Sequence, residues 1–381
     1  MRPSDGLAPA PSREGPGQRL RRALQPLVDG AAGLEDLARV AARIPQAAAE
    51  IVAGWQGGGR AGTAPATGEG GPADVAALTA GISHLNDEVT RRVVQFVATE
   101  SGVDLGQACW LAFGSQARGE QTLLTDQDNG LVFAAEGEAE AQARRPAWQA
   151  FGQRVNEALA RCGYPLCDGR VMAGQPLCCL SPEEWCRRFE HWLAHGDGND
   201  LFAARIYFDL RPLAGHMALA RPLVELLRSP AAAVPRFVKQ MADIVLCNHV
   251  PLNWLGQVVT TEHEGQPMFD LKMSGTALFV DAGRLWALAH RLAEVGTVPR
   301  LHAAARAMRV PAHEAESWAA GFQTLQRLRL DAQRRRLAEP AAPQRAWVRW
   351  SDLDVEARRA LKQALRAARL VQQRIELDYC R

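Results

Sequence analysis

The sequence has 381 residues, a formal net charge of +2 at pH 7 and 47% hydrophobic residues, so it is long enough for two or three domains with buried cores. Its 44 basic residues nearly balance 42 acidic ones, which argues against a protein that coats nucleic acid. No apolar run approaches the roughly 18 to 20 residues needed to span a bilayer, and the first residues lack the apolar stretch of a signal peptide. We therefore expect a cytoplasmic protein with neither a membrane nor a nucleic-acid partner.

The first hundred residues are predicted to be mainly helical. Residues 1–18 are rich in proline and glycine, which predicts a disordered tail. Apolar residues then recur at helical spacing over 19–55 and again over 73–102. A glycine-rich stretch near 56–72 separates them and is typical of a flexible linker. The prediction is a helical N-terminal region over 19–104 that contains this linker.

Short apolar runs of strand length follow, beginning with ACWLAF at Ala108 and NGLVFA at Asn129. Residues 138–161 have a helical pattern, and residues 163–174 (GYPLCDGRVMAG) suit a loop and a strand. Ser181 with Glu184 three residues later predicts a helix that begins with a capping box. Residues 204–212 (ARIYFDLRP) are predicted to form another strand. These elements make residues 105–220 a mixed region of helices and strands.

Beyond residue 220 the pattern is helical almost to the end, so we predict a C-terminal helical domain over 221–381. The last helix is expected to begin at Ser351, with Asp354 as its capping-box partner, and to run to about Leu377. The arginine-rich stretch from Arg327 to Arg336 is interpreted as a solvated helix face, with a docking site for a protein partner as the alternative.

Eight cysteines are scattered through the chain without a CxxC pair, which predicts reduced thiols in a reducing compartment. Five of them lie between residues 162 and 186, shortly before His191 and His195, so a zinc site is an alternative to a group of buried thiols. Zinc ligands usually have short fixed spacing, and its absence favours buried thiols.

The most informative segment lies between the first two predicted strands. Gly114 and Ser115 end the first strand, and Asp126 and Asp128 open the second. Residues i and i+2 of a strand project to the same side, so the two carboxylates are expected side by side, as Mg²⁺ ligands often are. Gly114 allows close approach of a phosphate, and Ser115 with the following amides is expected to form an anion site at a helix N-terminus.

Each half of this motif also has an ordinary interpretation. A Gly-Ser pair is common in turns, and an Asp-x-Asp triplet is often a solvated turn or a helix cap. Their order, strand–Gly-Ser–turn–Asp-x-Asp–strand, with eleven residues from Ser115 to Asp126, favours a phosphate cradle that faces a carboxylate pair. That arrangement is the machinery of two-metal phosphoryl or nucleotidyl transfer.

The segment GSQARGEQTLLTDQDN (residues 114–129) resembles the motif of DNA-polymerase-β-type nucleotidyltransferases. More closely, it resembles a bacterial family of nucleotidyltransferases related to the PII-protein uridylyltransferase. The resemblance implies an α+β fold, in which a small mixed-sheet nucleotidyltransferase domain over 105–220 is flanked by helical regions. Family members often carry cyclic-nucleotide-binding and CBS modules in front of this domain. The chain before Ala108 is too short and too helical for those modules.

The same resemblance implies a mechanism. Asp126 and Asp128 would hold two Mg²⁺ ions, and Gly114 and Ser115 would bind the β- and γ-phosphates of a nucleoside triphosphate. Residues 207–212 are similar to a strand found also in glutamine-synthetase adenylyltransferases, which makes Asp209 the candidate for a third metal-binding carboxylate. The alternative for Asp209 is a surface salt bridge to Arg211.

Other candidate residues have two interpretations each. Arg118 is placed to neutralise phosphate charge or is an ordinary helix-surface arginine, and Lys272 would reach the triphosphate or form an interdomain salt bridge. Glu120 and Gln121 would support the loop or contact the base, and Asn129 would orient Asp128 or cap its strand. The candidate nucleotide-binding residues are therefore Gly114, Ser115, Arg118, Gln121, Asn129, Arg211 and Lys272.

The predicted function is Mg²⁺-dependent transfer of a nucleoside monophosphate group from a nucleoside triphosphate to an acceptor hydroxyl. By analogy with uridylylation of PII, the expected acceptor is a regulatory protein, although a small-molecule acceptor is also open. The alternative from another class is a catalytically silent module that senses nucleotides or acts as a scaffold. Both Asp-x-Asp carboxylates and the Gly-Ser pair are present, which favours an enzyme.

Overall fold

A computed structural model describes residues 14–55, 70–263, 265–339 and 346–380. Most of the predicted tail (1–13) and most of the predicted linker (56–69) lie outside the described residues. The first helix begins at Pro16, inside the predicted tail, so that prediction is wrong for the last residues of the tail. The N-terminal region consists of α1 (Pro16–Asp29), α2 (Leu34–Ala41), α3 (Arg43–Gly54) and α4 (Pro72–Ser101).

A four-stranded mixed sheet follows. Its strands are β1 (Ala108–Phe113), β2 (Asn129–Phe133), β3 (Cys179–Leu180) and β4 (Leu210–Gly215), in the order β3-β2-β1-β4. β1 is antiparallel to both β2 and β4, whereas β2 and β3 are parallel. This small sheet between two helical regions confirms the predicted α+β fold.

The sheet is buried on both faces because the side chains of β1 alternate between two hydrophobic cores. Cys109, Leu111 and Phe113 belong to the core formed with the C-terminal helices. Ala108, Trp110 and Ala112 belong to the core formed with α1–α4. The end of β1, where Gly114 follows, is thereby fixed from both sides.

The helices between the strands are α5 (Gly114–Arg118), α6 (Gly137–Arg161), α7 (Pro182–His195) and α8 (Gly198–Ala204). The capping box at the start of α7 is confirmed, with Ser181 and Glu184 bonded reciprocally. One strand prediction is wrong and another is partly wrong. Residues 163–174, all within the described part, form turns and no strand, and residues 205–208 of the predicted 204–212 strand form a 3₁₀ turn before β4.

The C-terminal region contains six α-helices among its described residues: α9 (Arg221–Leu227), α10 (Pro235–Cys247), α11 (Ala277–Ala289), α12 (Thr297–Ala307), α13 (Ala312–Ala338) and α14 (Val355–Tyr379). It also contains an antiparallel sheet that the sequence did not predict, made of β5 (Thr261–His263), β6 (Gln266–Asp270) and β7 (Trp347–Arg349).

The last helix begins four residues later than predicted, because Ser351 lies in a 3₁₀ turn and Asp354 is itself the N-cap, accepting a bond from the Ala357 amide. Among the described helices, none combines the length and apolar character that a membrane span requires.

Candidate functional site

A cavity of about 290 Å³ lies between the nucleotidyltransferase-like segment and the C-terminal helices. One wall is formed by the end of β1, α5 and the loop before β2. The opposite wall is formed by the residues between β6 and α11, by α11 itself and by α13. Of the sequence-predicted site residues, the structure brings six to this cavity: Gly114, Ser115, Arg118, Asp126, Asp128 and Lys272.

Gly114 makes the turn from β1 into α5 with a φ of +55°, a left-handed conformation that glycine adopts at little cost. A Cβ atom at this position would lie 3.0 Å from Oδ2 of Asp128. The Phe113 amide donates a hydrogen bond to the Asp128 carbonyl at 2.9 Å, which ties the end of β1 to the start of β2. The Gly-Ser turn and the Asp-x-Asp segment are therefore in direct contact.

Asp126 and Asp128 both line the cavity, and the residue between them points the other way. Gln127 is buried, and its Nε2 donates to the carbonyl oxygens of Asn156 at 2.9 Å and Tyr164 at 2.8 Å. Because neighbouring residues of an extended segment point to opposite sides, this anchor keeps both carboxylates on the cavity side.

Burial raises the pKa of Asp128, although a hydrogen bond from the Cys167 thiol and the charges of Lys272 and Arg118 partly oppose the shift. The Cys167 thiol is held protonated, since burial and the adjacent Asp128 raise its pKa to about 11. An additional cation next to Asp128 would favour the ionised carboxylate. Asp126 and Asp128 are therefore the two cavity carboxylates that could contact a divalent cation.

Asp209 is completely buried, and three arginines occupy both of its oxygens. Arg118 and Arg284 contact Oδ2 at 2.5 and 2.6 Å, and Arg300 contacts Oδ1 at 2.5 Å. Burial alone would raise the pKa of Asp209, but these guanidinium groups outweigh it and hold the pKa well below its usual range.

Asp209 is not among the residues that line the described cavity with Asp126 and Asp128, and its role as a third metal ligand stays a prediction. Within the described part of the chain, no three His, Cys, Asp or Glu side chains are grouped so that they could hold a metal ion. The alternative salt bridge from Asp209 to Arg211 is not formed either, because Arg211 binds Asp87.

Three further predicted residues lie outside the described cavity lining and hold the surrounding segments in place. Arg211 donates to Asp87 Oδ2 at 2.7 Å and to the Gln116 carbonyl at 2.9 Å, which fastens α5 to α4. The Gln121 amide donates to Ser83 Oγ at 2.8 Å. Asn129 accepts bonds from Asn156 Nδ2 at 2.9 Å and from the Ala173 amide at 2.8 Å.

Sequence reasoning missed the contribution of α13. The stretch Arg327–Arg336 was interpreted as a solvated face, yet Arg329 lines the cavity. The spacing could have indicated this contribution. Polar residues recur three or four positions apart after a buried aromatic residue, so they share one face of the helix with it. The cavity-lining residues of α13 are Phe322, Gln326, Arg329 and Gln333.

Glu120 joins the first wall to the start of α12. Its carboxylate accepts bonds from the Thr297 amide and from Thr297 Oγ1, the latter at 2.9 Å, and it also pairs with Arg118 at 3.0 Å. The loop interpretation of Glu120 is the one that the contacts favour. Arg118 is thus positioned by two carboxylates, Glu120 and Asp209, while it lines the cavity.

The eight cysteines are all free thiols. Within the 162–186 cluster, Cys162, Cys178 and Cys179 are buried and Cys167 and Cys186 are partly buried. Burial raises the pKa of the Cys179 thiol and raises that of Cys162 to about 11. These features fit protonated, packed thiols.

Comparison with known families agrees with this architecture. Residues 66–199 match the family model described as "Putative nucleotidyltransferase DUF294". Residues 235–379 match the model described as "Putative nucleotidyltransferase substrate binding domain". None of the curated proteins compared with the chain matches it. The two matches support a nucleotidyltransferase family, and their boundaries place one wall of the cavity in each matched domain.

Proposed function

Since the chain matches models of a nucleotidyltransferase domain and of its substrate-binding domain, we propose that it transfers a nucleoside monophosphate group from a nucleoside triphosphate to an acceptor hydroxyl. The observation that carries the proposal is the direct contact between the Gly114–Ser115 turn and Asp128 at the wall of a cavity. A phosphate bound at the turn would lie close to the two carboxylates. Such juxtaposition is what phosphoryl-transfer chemistry requires.

Asp126 and Asp128 would hold Mg²⁺, which typically takes one or two carboxylates and completes its coordination with water and substrate phosphates. When bound, the ion would neutralise charge on the triphosphate and polarise the phosphorus under attack. These two carboxylates line the described cavity, whereas Asp209 is paired with Arg118, Arg284 and Arg300. We therefore assign Asp209 to positioning Arg118 rather than to metal binding.

The protein residues have separate tasks in this proposal. Gly114 leaves space for a phosphate and for Asp128, and Ser115 offers a hydroxyl to the triphosphate. Arg118, held by Glu120 and Asp209, supplies positive charge beside it. In the transfer, the acceptor oxygen forms a bond to the α-phosphorus, the bond to the α–β bridging oxygen breaks, pyrophosphate leaves, and the hydroxyl proton passes to solvent.

A regulatory protein as acceptor, a uridylyltransferase-like preference and a cytoplasmic location are parts of the same proposal. They are supported by the resemblance of residues 114–129 to the relatives of PII uridylyltransferase. The second candidate is a nucleotide-sensing scaffold. It is favoured by the three arginines that pair with Asp209, because a site in which only Asp126 and Asp128 remain for a metal could bind nucleotide without turning it over.

The test is label transfer. The purified chain is incubated with Mg²⁺ and each α-labelled nucleoside triphosphate in a cell lysate. We expect a labelled protein band with one nucleotide, and we expect Asp126→Asn and Asp128→Asn each to lower the rate by at least about 100-fold, equivalent to about 2.7 kcal/mol. Asp168→Asn is the matched control, since Asp168 is exposed and does not line the described cavity.

Unchanged labelling in the Asp126 and Asp128 variants would show that these carboxylates do not hold the metal. Micromolar nucleotide binding without labelled product would favour the sensing scaffold instead. A labelled small molecule in the protein-free fraction of the lysate would identify a small-molecule acceptor.

A further inference from the structure

Arg329 on α13 differs from the other arginines of the cavity in having no acidic partner. Its Nη1 donates to two neutral oxygens, Gln326 Oε1 at 2.9 Å and Thr276 Oγ1 at 3.5 Å. Its Nε is buried and has no hydrogen-bond partner among the described residues. Among the described residues, no carboxylate lies within salt-bridge distance of the Arg329 guanidinium.

The neighbouring arginines are all paired. Arg118 and Arg284 contact Asp209 at 2.5 and 2.6 Å, and Arg205 contacts Asp281 at 3.4 Å. Burial and the nearby charge of Arg118 lower the pKa of Arg329 to about 10, although the charges of Asp270 and Glu120 partly oppose the shift. An enclosed cation without a counter-ion destabilises a folded protein. Such an arrangement indicates a site that is completed by an anion.

A second cation of the same wall is exposed rather than enclosed. Lys272 lies at the exposed rim of the cavity, and its ammonium has no ion pair within the described residues. Loss of water around the ammonium lowers its pKa, and the charges of Arg329 and Arg118 add to the shift, whereas Asp128 opposes it. Arg118, Lys272 and Arg329 therefore converge on one volume that also adjoins the carboxylate pair.

We propose that Arg329 of α13, together with Lys272, binds the polyphosphate chain of the nucleotide and the pyrophosphate that leaves. The choice of ligand rests on the proposed function. A guanidinium binds phosphate oxygens through its N–H groups. Nη1 of Arg329 donates to neutral oxygens only, and no hydrogen bond from Nη2 is found within the described residues. The C-terminal region thus completes the nucleotide site.

This placement gives each wall of the cavity its own part of the reaction. The carboxylates of the first wall would lie beside the α-phosphorus, and Gly114 and Ser115 beside the β- and γ-phosphates. When the bond between the α-phosphorus and the bridging oxygen breaks, its electron pair stays on pyrophosphate. Arg329 and Lys272 would then stabilise the negative charge that accumulates on this leaving group.

The test measures binding of inorganic anions without Mg²⁺, nucleotide or acceptor. Pyrophosphate, tripolyphosphate and orthophosphate are titrated into the full chain by calorimetry and by thermal shift. Arg329→Met removes the charge while keeping a long side chain. Arg327→Met is the matched control, because Arg327 lies on the same helix but contacts Trp55 and Gly70 outside the described cavity lining.

We expect pyrophosphate to bind the wild type and Arg327→Met equally, and to bind Arg329→Met at least about tenfold more weakly. Arg329→Lys should recover part of the affinity for pyrophosphate, since lysine restores the positive charge but not the several N–H donors of the guanidinium. Without anion, the Tm of Arg329→Met should rise by about 2 °C, because an uncompensated buried charge has been removed.

A lower Tm of ligand-free Arg329→Met with unchanged pyrophosphate binding would overturn the proposal and leave Arg329 a structural role. Orthophosphate binding as tight as pyrophosphate binding would overturn the assignment to a polyphosphate. Failure of the proposed function is recognised separately: Arg329-dependent pyrophosphate binding without label transfer contradicts the enzyme but supports this site.

Discussion

Gly114 and Gly119 stand at the two ends of α5 in the same left-handed backbone conformation, with φ values of +55° and +68°. They differ in their surroundings. A Cβ at Gly114 would lie 3.0 Å from Asp128 Oδ2, whereas at Gly119 it would meet nothing within 4 Å. An alanine would therefore suffer a similar backbone strain of roughly 1–2 kcal/mol at either position. Only Gly114→Ala would also displace a carboxylate of the site.

We expect Gly114→Ala to lower label transfer by at least about tenfold and Gly119→Ala to leave it within about twofold, although both lose a similar free energy of unfolding. Urea unfolding measures the stability, and initial rates of label transfer measure the activity. An equal loss of activity in the two variants would show that the space beside Asp128 is not what requires glycine.

Asp209 contributes to stability through its charge, which three arginines hold in place. Its folded pKa is lowered, so its contribution is fully present above the unfolded pKa near 3.9 and is lost as the pH falls toward the folded pKa. Asp209→Asn should lower the free energy of unfolding by about 3–5 kcal/mol, constant between about pH 5 and 8, with the difference from wild type shrinking below about pH 4.

Denaturant unfolding across this pH range checks the expectation, with Asp168→Asn as the exposed control. A difference that persists undiminished at pH 3 would mean that charge is not the source of the stability. The Mg²⁺ concentration for half-maximal label transfer supplies a second readout. It should be unchanged in Asp209→Asn if the residue only positions Arg118, and it should rise if Asp209 binds the metal.

The residues of the Gly-Ser and Asp-x-Asp motif could be predicted because they lie within fifteen residues of one another, and strand geometry decides their direction. The surroundings of Asp209 could not be predicted from the sequence. Its partners Arg284 and Arg300 are 75 and 91 residues away in sequence, on α11 and α12. Nothing in local spacing distinguishes a carboxylate that meets three arginines from one that binds a metal.

At the scale of elements, the buried strands β1 and β2 were predicted, while the strand over 204–212 was partly wrong. Tyr207 and Phe208 have high strand propensity, but they pack into an aromatic cluster with Trp192 on α7. This packing is reached through a 3₁₀ turn that continues from α8. Tertiary contacts therefore overrode local propensity, as is common for short aromatic segments.

The small C-terminal sheet was missed for a different reason. β5 has three residues, of which Thr261 and Glu262 are exposed, so it has no apolar alternation. β6 pairs with β7 across a long separation, with Asp270 opposite Trp347. Helical spacing dominates the sequence on both sides, and short exposed strands leave no comparable pattern.

Helix α13 is an element whose charges alone did not predict its role in the cavity. Arginine richness over 327–336 indicated a solvated face, but a 27-residue helix that crosses the molecule presents different faces to solvent and to the cavity. Gln333 bonds to both the amide and the carbonyl of Leu124 on the opposite wall. The helix is therefore a structural wall of the site, which charge counting alone does not reveal.

At the scale of the whole molecule, the predicted boundary at residue 220 does not divide the hydrophobic core. Leu111 and Phe113 of β1 belong to the same core as Leu285 of α11 and Leu365 of α14. The cavity lies where these two parts meet, so its geometry depends on both. A continuous core of this kind is expected to unfold as one cooperative unit.

A core substitution in the C-terminal region should therefore weaken the distant sheet. Leu285 is fully buried on α11, and Leu285→Ala should lower the free energy of unfolding by about 2–5 kcal/mol. Leu377→Ala is the matched control, because Leu377 on α14 is 50% exposed. Hydrogen exchange measures the effect at β1, where we expect protection of the Ala108–Phe113 amides to fall by the same free energy as global stability. Unchanged protection in β1 would mean that the two regions unfold independently, and that the cavity lies between separable domains.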